Sequence, residues 1–365
     1  MEAMGEMTRR QFVVGMGAAA AALATSGCSD DSKPMSSVDP GGTPALPDGI
    51  DARVSTARMT DYDTATLRTT LQNMVDGVGG LGNLVRPGDT VGIKMNMTGG
   101  SGNADSSVDR FGEPAPELFW THPEVFRIVG EMFKDAGARR IIAMEALYDD
   151  NSYYGYGYAD VAGPIGAELV DLNVPAPYTD FIELEVPDPL GKYVSYSQHR
   201  AMHDLDVFVS LSKAKRHASA GVTHSIKNMV GSIPLSLYNS GAGHRRDLHA
   251  DGNPTLVRNF LDIHKIRPID FAVNDAIKTA ENGEGPWNRG FRAERFDTLI
   301  LGMDPVAVDS VSTQVMGYDP MAADNEGPFG DHVVTTDNYL RLAEESGMGV
   351  HDLSRIEVVD GTVAA

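Results

Sequence analysis

From Thr90 to Val359 short apolar runs alternate with stretches of helical periodicity, and this alternation narrows the available folds more than any other feature of the chain. Apolar runs of about four to eight residues suit buried strands, and helices between them return the chain to begin the next strand in parallel. The pattern predicts an α/β domain with a largely parallel sheet flanked by helices. Strands are expected at Thr90–Met97, Arg140–Glu145, Ala167–Leu172, Asp206–Leu211, Ile269–Asn274, Thr298–Leu301 and Ile356–Val359. Helices are expected over Thr64–Val75 behind an Asp63 N-cap, over Pro123–Ala136 before Gly137, and from Asn253-Pro254 to about Ile266. With 365 residues, 42% of them hydrophobic, the chain suits one large domain or two lobes, roughly 51–200 and 201–365, with a cleft between them.

Two long loops interrupt the alternation, Thr98–Glu117 and Ser236–Gly252, and long loops in a compact domain usually carry function. Tyr148–Tyr158 is locally rich in Tyr and Gly and reads either as an aromatic lid or as an ordinary packed loop.

The first 28 residues read as an address. Arg9-Arg10 before Phe12, and a weakly apolar run to Ala24, match a twin-arginine export signal, too short to span a bilayer. Ser26-Gly27-Cys28 resembles the end of a lipobox and makes Cys28 the expected lipidation site. Cleavage after Ala22-Leu23-Ala24 is the alternative and leaves a soluble periplasmic protein. Residues 29–50 are rich in Ser, Asp, Pro and Gly and suit a disordered tether. Cys28 is the only cysteine, so disulfides, thiolate zinc and iron-sulfur clusters are not expected in the mature domain. A net charge of -21 argues against nucleic acid, which needs a basic footprint. The expected partners are the export machinery, a membrane through the lipid anchor alone, and a small molecule.

The densest chemical segment is Ser212–Gly231, behind the strand Asp206–Leu211. It holds Lys213, Lys215, Arg216, His217, His224, Lys227 and Asn228, with Gly221 feeding an expected helix start. Ligands of open α/β sheets bind beyond the carboxyl ends of strands, and backbone N–H groups at a helix start receive anions. So many cations in an acidic chain point to an anionic ligand; a solvated basic loop is the plain alternative.

These residues sit in a wider set: Ile93–Asn96, Thr121–Glu124, Lys213–His217, Lys227–Gly231, Asp275 with Glu281 and Gly285-Pro286, and Asp304–Asp309. That set resembles the family called domain of unknown function 362 over nearly the whole mature chain. Some of that family carry a cysteine-rich ferredoxin-like segment, which this sequence lacks. The chain also bears a fainter similarity to lactate racemase-type proteins, in which a Lys ten residues after a His holds a nickel-pincer nucleotide. His217, Gly221 and Lys227 reproduce the spacing, and His244 stands near where a metal-binding His is expected. The Gly-Gly before that lysine is Ser225-Ile226 here, so the resemblance implies only a Lys/His pocket for an anionic or metal-bearing ligand.

Other candidates surround this segment. Lys94 and Asn96 share a strand face by the period of two and can orient a carboxylate or phosphate, or simply face solvent. His122 precedes Pro123 and is either a helix cap or a proton-transfer residue. His244 and His249, with Asp247 or Asp251 nearby, are the metal candidates for a divalent cation, although their spacing fits no zinc motif. Asp275, Glu281, Asp304 and Asp309 place carboxylates at expected strand ends, with a buried hydrogen-bonding role as the alternative for Asp309. His199, His264 and His351 suit surfaces.

The combined expectation is an exported protein that binds an anionic small molecule, with or without a divalent metal. His217, Lys227 and His122 are the catalytic candidates for proton transfer or isomerisation. Lys94, Asn96, Lys213, Lys215, Asn228, Asp275 and Glu281 are the ligand-binding ones. A non-catalytic ligand- or metal-binding envelope lipoprotein is the rival expectation.

Overall fold

A computed structural model describes residues 45–105, 109–110, 112–240 and 245–363. Arg9, Arg10, Cys28, most of the tether and His244 lie outside the described residues. In chain order the main elements are β1 (Ala52–Arg58), α1 (Thr64–Gly77), β2 (Thr90–Lys94), α2 (Pro123–Asp135), β3 (Arg140–Glu145), α3 (Tyr158–Ile165), β4 (Ala167–Asp171), β5 (Val207–Lys213) and the hairpin β6 (Lys215–His217) with β7 (Gly221–Thr223). There follow α4 (Asn253–Ile266), β8 (Phe271–Glu281), β9 (Arg292–Gly302), α5 (Pro305–Val315), α6 (Tyr339–Glu345) and β10 (Ile356–Asp360).

Eight strands form one sheet in the order β10-β1-β9-β8-β5-β2-β3-β4. Every neighbouring pair is parallel except the two made by β9, which runs antiparallel to β1 and β8. The fold is therefore α/β with a mostly parallel sheet, and the halves 51–200 and 201–365 share this sheet rather than each building its own. Side-chain alternation divides the core. Val207, Val209, Leu211, Ile141, Ala143, Leu299 and Leu301 pack with α1 and α2, whereas Phe208, Ile142, Met144 and Ile300 pack with α4, α5 and α6.

The helices start where the sequence puts caps. Asp63 accepts from Thr66 N–H at 3.0 Å, His122 Nδ1 accepts from Glu124 N–H at 3.1 Å, and Asp304 caps α5 before Pro305. Among the described residues no helix is long and apolar enough to cross a membrane.

One expectation fails locally. A basic loop leading into a helix was expected after β5, but the chain forms the β6–β7 hairpin and then a six-residue 3-10 helix, Lys227–Ser232. Gly221 allows the hairpin: its φ is +81°, and a Cβ there would meet Pro328 O at 2.6 Å.

The path of the chain sets the site. From β2 it moves outward through β3 and β4, then returns to β5 on the other flank of β2. Strand order reverses between β2 and β5, and open α/β sheets bind ligands in the crevice at that point, beyond the carboxyl ends of the strands.

Candidate functional site

A cavity of about 390 Å³ occupies that crevice. Each strand end contributes. Asn96 and Gly99 follow β2, Glu145 ends β3 and Tyr148 follows it, Lys215 and His217 come from the hairpin, and Lys227 and Asn228 from the 3-10 helix. Arg245 and His249 of the 236–252 loop and Glu284 and Trp287 beyond β8 complete the wall.

Behind the wall runs a buried polar ladder. Lys94 Nζ pairs with Glu145 at 2.8 Å and donates to Asn228 Oδ1 at 3.2 Å. Asn96 Nδ2 donates to the same oxygen at 3.0 Å, while Asn96 Oδ1 accepts at 2.7 Å from Lys215 Nζ, which also donates to Phe119 O. Burial lowers Lys94 to about 8 and raises Glu145, while their mutual attraction opposes both shifts. Burial also lowers Lys215, with Glu284 opposing and Lys227 and Lys213 reinforcing. Gly231 belongs to this packing: a Cβ there would lie 2.3 Å from Glu145 Oε1 and 2.4 Å from Lys94 Nζ.

In front of the ladder the groups are available. His217 Nδ1 accepts from the N–H groups of Ser219 at 3.0 Å and Ala220 at 3.2 Å, so its proton sits on Nε2. Burial and Lys227 hold this ring well below its usual pKa, in the neutral form. His249 has the opposite tautomer. Its Nδ1 lies 3.1 Å from Arg245 O, an acceptor alone, so Nδ1 carries the proton and Nε2 the lone pair. Burial and Lys227 lower His249 to about 4. Lys227 is 7% exposed, and its side chain makes no hydrogen bond or ion pair among the described residues. Burial lowers it to about 8, Glu284 opposing and Arg245 reinforcing. Glu284 accepts from Ala218 N–H at 3.1 Å and Trp287 Nε1 at 3.0 Å. Although burial raises it, those donors help hold it below the usual carboxylate range. Arg245 donates to Ile233 O at 2.9 Å and Ala146 O at 3.0 Å and lies over the Tyr148 ring.

Not all of the sequence candidates meet here. Asn96, Lys215, His217, Lys227, Asn228 and His249 line the cavity, and Lys94 supports it from behind. Lys213, Asp275 and His122 form a separate buried cluster. Lys213 Nζ lies 2.8 Å from both Asp275 Oδ2 and Tyr62 Oη, Tyr62 donates to Asp275, and the His122 ring stacks on Tyr62 at 3.7 Å. The separation follows from strand parity, which puts Lys213 on the face of Val209 and Leu211. Burial, then Lys213 and Lys278, lower His122 to about 3.

Glu281 bonds Tyr318 Oη at 3.1 Å, outside the cavity wall. Asp309 accepts from Ser225 N–H, Ile226 N–H, Asn274 and Tyr339, the buried hydrogen-bonding role, and anchors the approach to Lys227. Of the Tyr148–Tyr158 segment, Tyr148 reaches the cavity while Tyr153 and Tyr158 are buried. His199 and His264 are buried as well, against the surface positions expected for them. Among the described residues no group of three or more His, Cys, Asp or Glu gathers to hold a metal ion. His249 instead faces Lys227 and Arg245, whose charges oppose a cation.

A family model described as domain of unknown function (DUF362) matches residues 91–314. The chain belongs to this family. Every residue of the cavity wall lies within the matched span, so the site described above is part of the DUF362 domain itself. A thylakoid-associated protein of Synechocystis sp. is 26% identical over 283 residues, covering 72% of this chain and 78% of its own length. Two solved structures are similar at lower levels. A Thermotoga maritima protein has a TM-score of 0.38 and 10% identity over 70% of this chain. The lactate racemase apoprotein of Thermoanaerobacterium thermosaccharolyticum has a TM-score of 0.36 and 14% identity over 69%. The chain spans 60% and 56% of the lengths of those two proteins.

Four wall residues of this DUF362 domain escaped the sequence analysis: Glu145, Arg245, Glu284 and Trp287. Glu284 was legible in principle, as a carboxylate between Gly283 and Gly285 just past a strand. β8 runs to Glu281 rather than to the expected Asn274, which places Glu284 just beyond the strand end. Arg245 lies in the chain between the two metal candidates His244 and His249.

Proposed function

We propose that this chain binds a small carboxylate- or phosphate-bearing molecule in the switch-point cavity and transfers a proton on it. The observation that carries this reading is Lys227, a buried cavity-lining amine that has no partner among the described residues. An unpaired buried charge is costly until a counter-ion arrives. Around it, Arg245 is a permanent cation, Glu284 the one carboxylate without a cationic partner, and Lys94 and Glu145 cancel. His217 Nε2–H supports the reading as a neutral donor to the bound anion. The base in this proposal is His249 rather than His217, because the His217 Nδ1 lone pair is already committed to two N–H donors and its Nε2 carries the proton. A divalent metal enters the reading only beside His249, with His244 as second imidazole; equal metal content in wild type and His249→Ala removes it.

The test uses the two tryptophans, of which Trp120 is buried and Trp287, 46% exposed, stands in the wall. Titrating the full chain with lactate, malate and inorganic phosphate should give saturable fluorescence changes that Trp287→Phe removes. Lys227→Met should weaken them. Unchanged affinity in Lys227→Met overturns the site, and binding without turnover leaves the non-catalytic alternative.

For location, we propose export by the twin-arginine route and a lipid anchor at Cys28, which would set the domain at an envelope membrane. The thylakoid association of the Synechocystis relative supports a membrane setting. Arg9→Lys with Arg10→Lys should hold the protein in the cytoplasm, since ammonium groups do not copy paired guanidinium geometry. Cys28→Ser should release it from the membrane fraction. Normal export, or no change in fractionation, sinks the respective half.

A further inference from the structure

Four buried lysines approach the carboxyl edge of the sheet, and three are tied down. Lys94 has Glu145 and Asn228, Lys213 has Asp275 and Tyr62, and Lys215 has Asn96 and Phe119 O. Among the described residues Lys227 alone of the four has an unbonded Nζ in the cavity wall, with a proton acceptor, His249 Nε2, and a proton donor, His217 Nε2–H, in the same wall. A base, an acid and an uncommitted amine around one anion-binding space are the groups that carbonyl condensation needs.

We propose that Lys227 forms an imine with the carbonyl carbon of a 2-oxo acid whose carboxylate is received by Arg245 and His217. This names the substrate class of the anion-binding reading and rests on that reading. The Lys227 ammonium first passes a proton to His249 Nε2. The freed lone pair then forms the C–N bond while the carbonyl π pair moves to oxygen. That oxygen takes one proton from nitrogen and one from His249 and leaves as water. Ammonium and ketone thus give iminium and water, with no change of oxidation state. The iminium withdraws electrons from the adjacent carbon, where His249, neutral again, can remove a proton. Burial, with Arg245 and Lys94 nearby, keeps the lysine at about 8, so free amine is present near neutrality.

The full chain is incubated with glyoxylate, pyruvate, 2-oxoglutarate or phenylpyruvate and sodium cyanoborohydride, which reduces imines to stable amines. Peptide mass spectrometry then locates the adduct. The expected result is modification of Lys227 about tenfold or more faster than of the exposed Lys192, abolished in Lys227→Arg and lost on denaturation. Trp287 fluorescence follows noncovalent binding of the same acids and of lactate in parallel. Binding without an adduct at Lys227 above the Lys192 rate overturns the imine and leaves the anion-binding reading standing. Absence of both saturable binding and adduct overturns both. Equal labelling of Lys227 in folded and denatured chain also overturns the imine.

Discussion

Lys213 and Lys227 are both buried near the carboxyl edge of the sheet, yet Lys213 Nζ lies 2.8 Å from two oxygens while Lys227 Nζ has no partner among the described residues. Around Lys213 the acceptors, Asp275 and Tyr62, come from β8 and the segment after β1, and both side chains of the ion pair are fully enclosed. Around Lys227 the charges that act on it most are a carboxylate already accepting from Ala218 and Trp287 and the cation Arg245. Burial alone thus does not distinguish these two lysines. What distinguishes them is whether the fold itself supplies a counter-charge, and on the proposed reading a ligand supplies the one that Lys227 lacks.

The largest test of this contrast is to remove one partner of the closed site. Lys213→Met should destabilise the fold by about 3–5 kcal/mol, because it strands Asp275 in the core. Replacing Asp275→Leu as well should recover much of that loss. Urea unfolding reads both, and a loss under about 1 kcal/mol for the single variant would place Lys213 with the available lysines.

Lys227→Met should reverse the pattern. Stability should hold or rise, while affinity for a bound anion falls by about 1.5–3 kcal/mol, roughly ten- to a hundredfold. A Tm drop comparable with that of Lys213→Met would make Lys227 structural.

The pH dependence separates the sites further. Lys227 falls to about 8 in the folded chain from 10.5 in the open one. Between those values the unfolded chain binds a proton the folded chain lacks, so this group makes stability rise with pH through the window. Unfolding of wild type and Lys227→Met at pH 7 to 10 should show wild type gaining about 2–3 kcal/mol relative to the variant. Lys94, also at about 8, cancels in that difference. Parallel curves would break the assignment.

The smallest effect concerns the neighbouring carboxylates. Glu284→Gln removes negative charge from the wall and should tighten anion binding by about 1 kcal/mol, whereas Glu281→Gln should leave it within about 0.5 kcal/mol. Equal effects in the titration would return Glu281 to the site.

Much of the frame was legible before any coordinates. β3 matches the expected Arg140–Glu145, and α1, α2 and α4 begin at the residues that their caps and prolines mark. Local chemistry decides such features: an Asp that accepts from the third residue on, a proline in the first turn, an apolar run of strand length. β1 was missed because Ala52–Arg58 intersperses Arg, Ser and Thr, and the β6–β7 hairpin because its Lys, Arg and His read as a loop. Tertiary burial overrode both patterns.

The sequence by itself determined the α/β class, the family to which the chain belongs, and the segment from Lys213 to Asn228 as its densest run of basic residues. Those follow from periodicity and from residue types at fixed spacings, which are properties of neighbours in the chain. It could not sort that segment's lysines, because their partners come from far along the chain: Asp275 for Lys213, Asn96 for Lys215. Nor could it assign tautomers, which depend on the Ser219 and Ala220 N–H groups that point at His217 and the Arg245 carbonyl that faces His249. Strand parity and the reversal of strand order between β2 and β5 made those choices, since hydrogen bonds and ion pairs act over a few ångströms of space, whatever the separation in sequence.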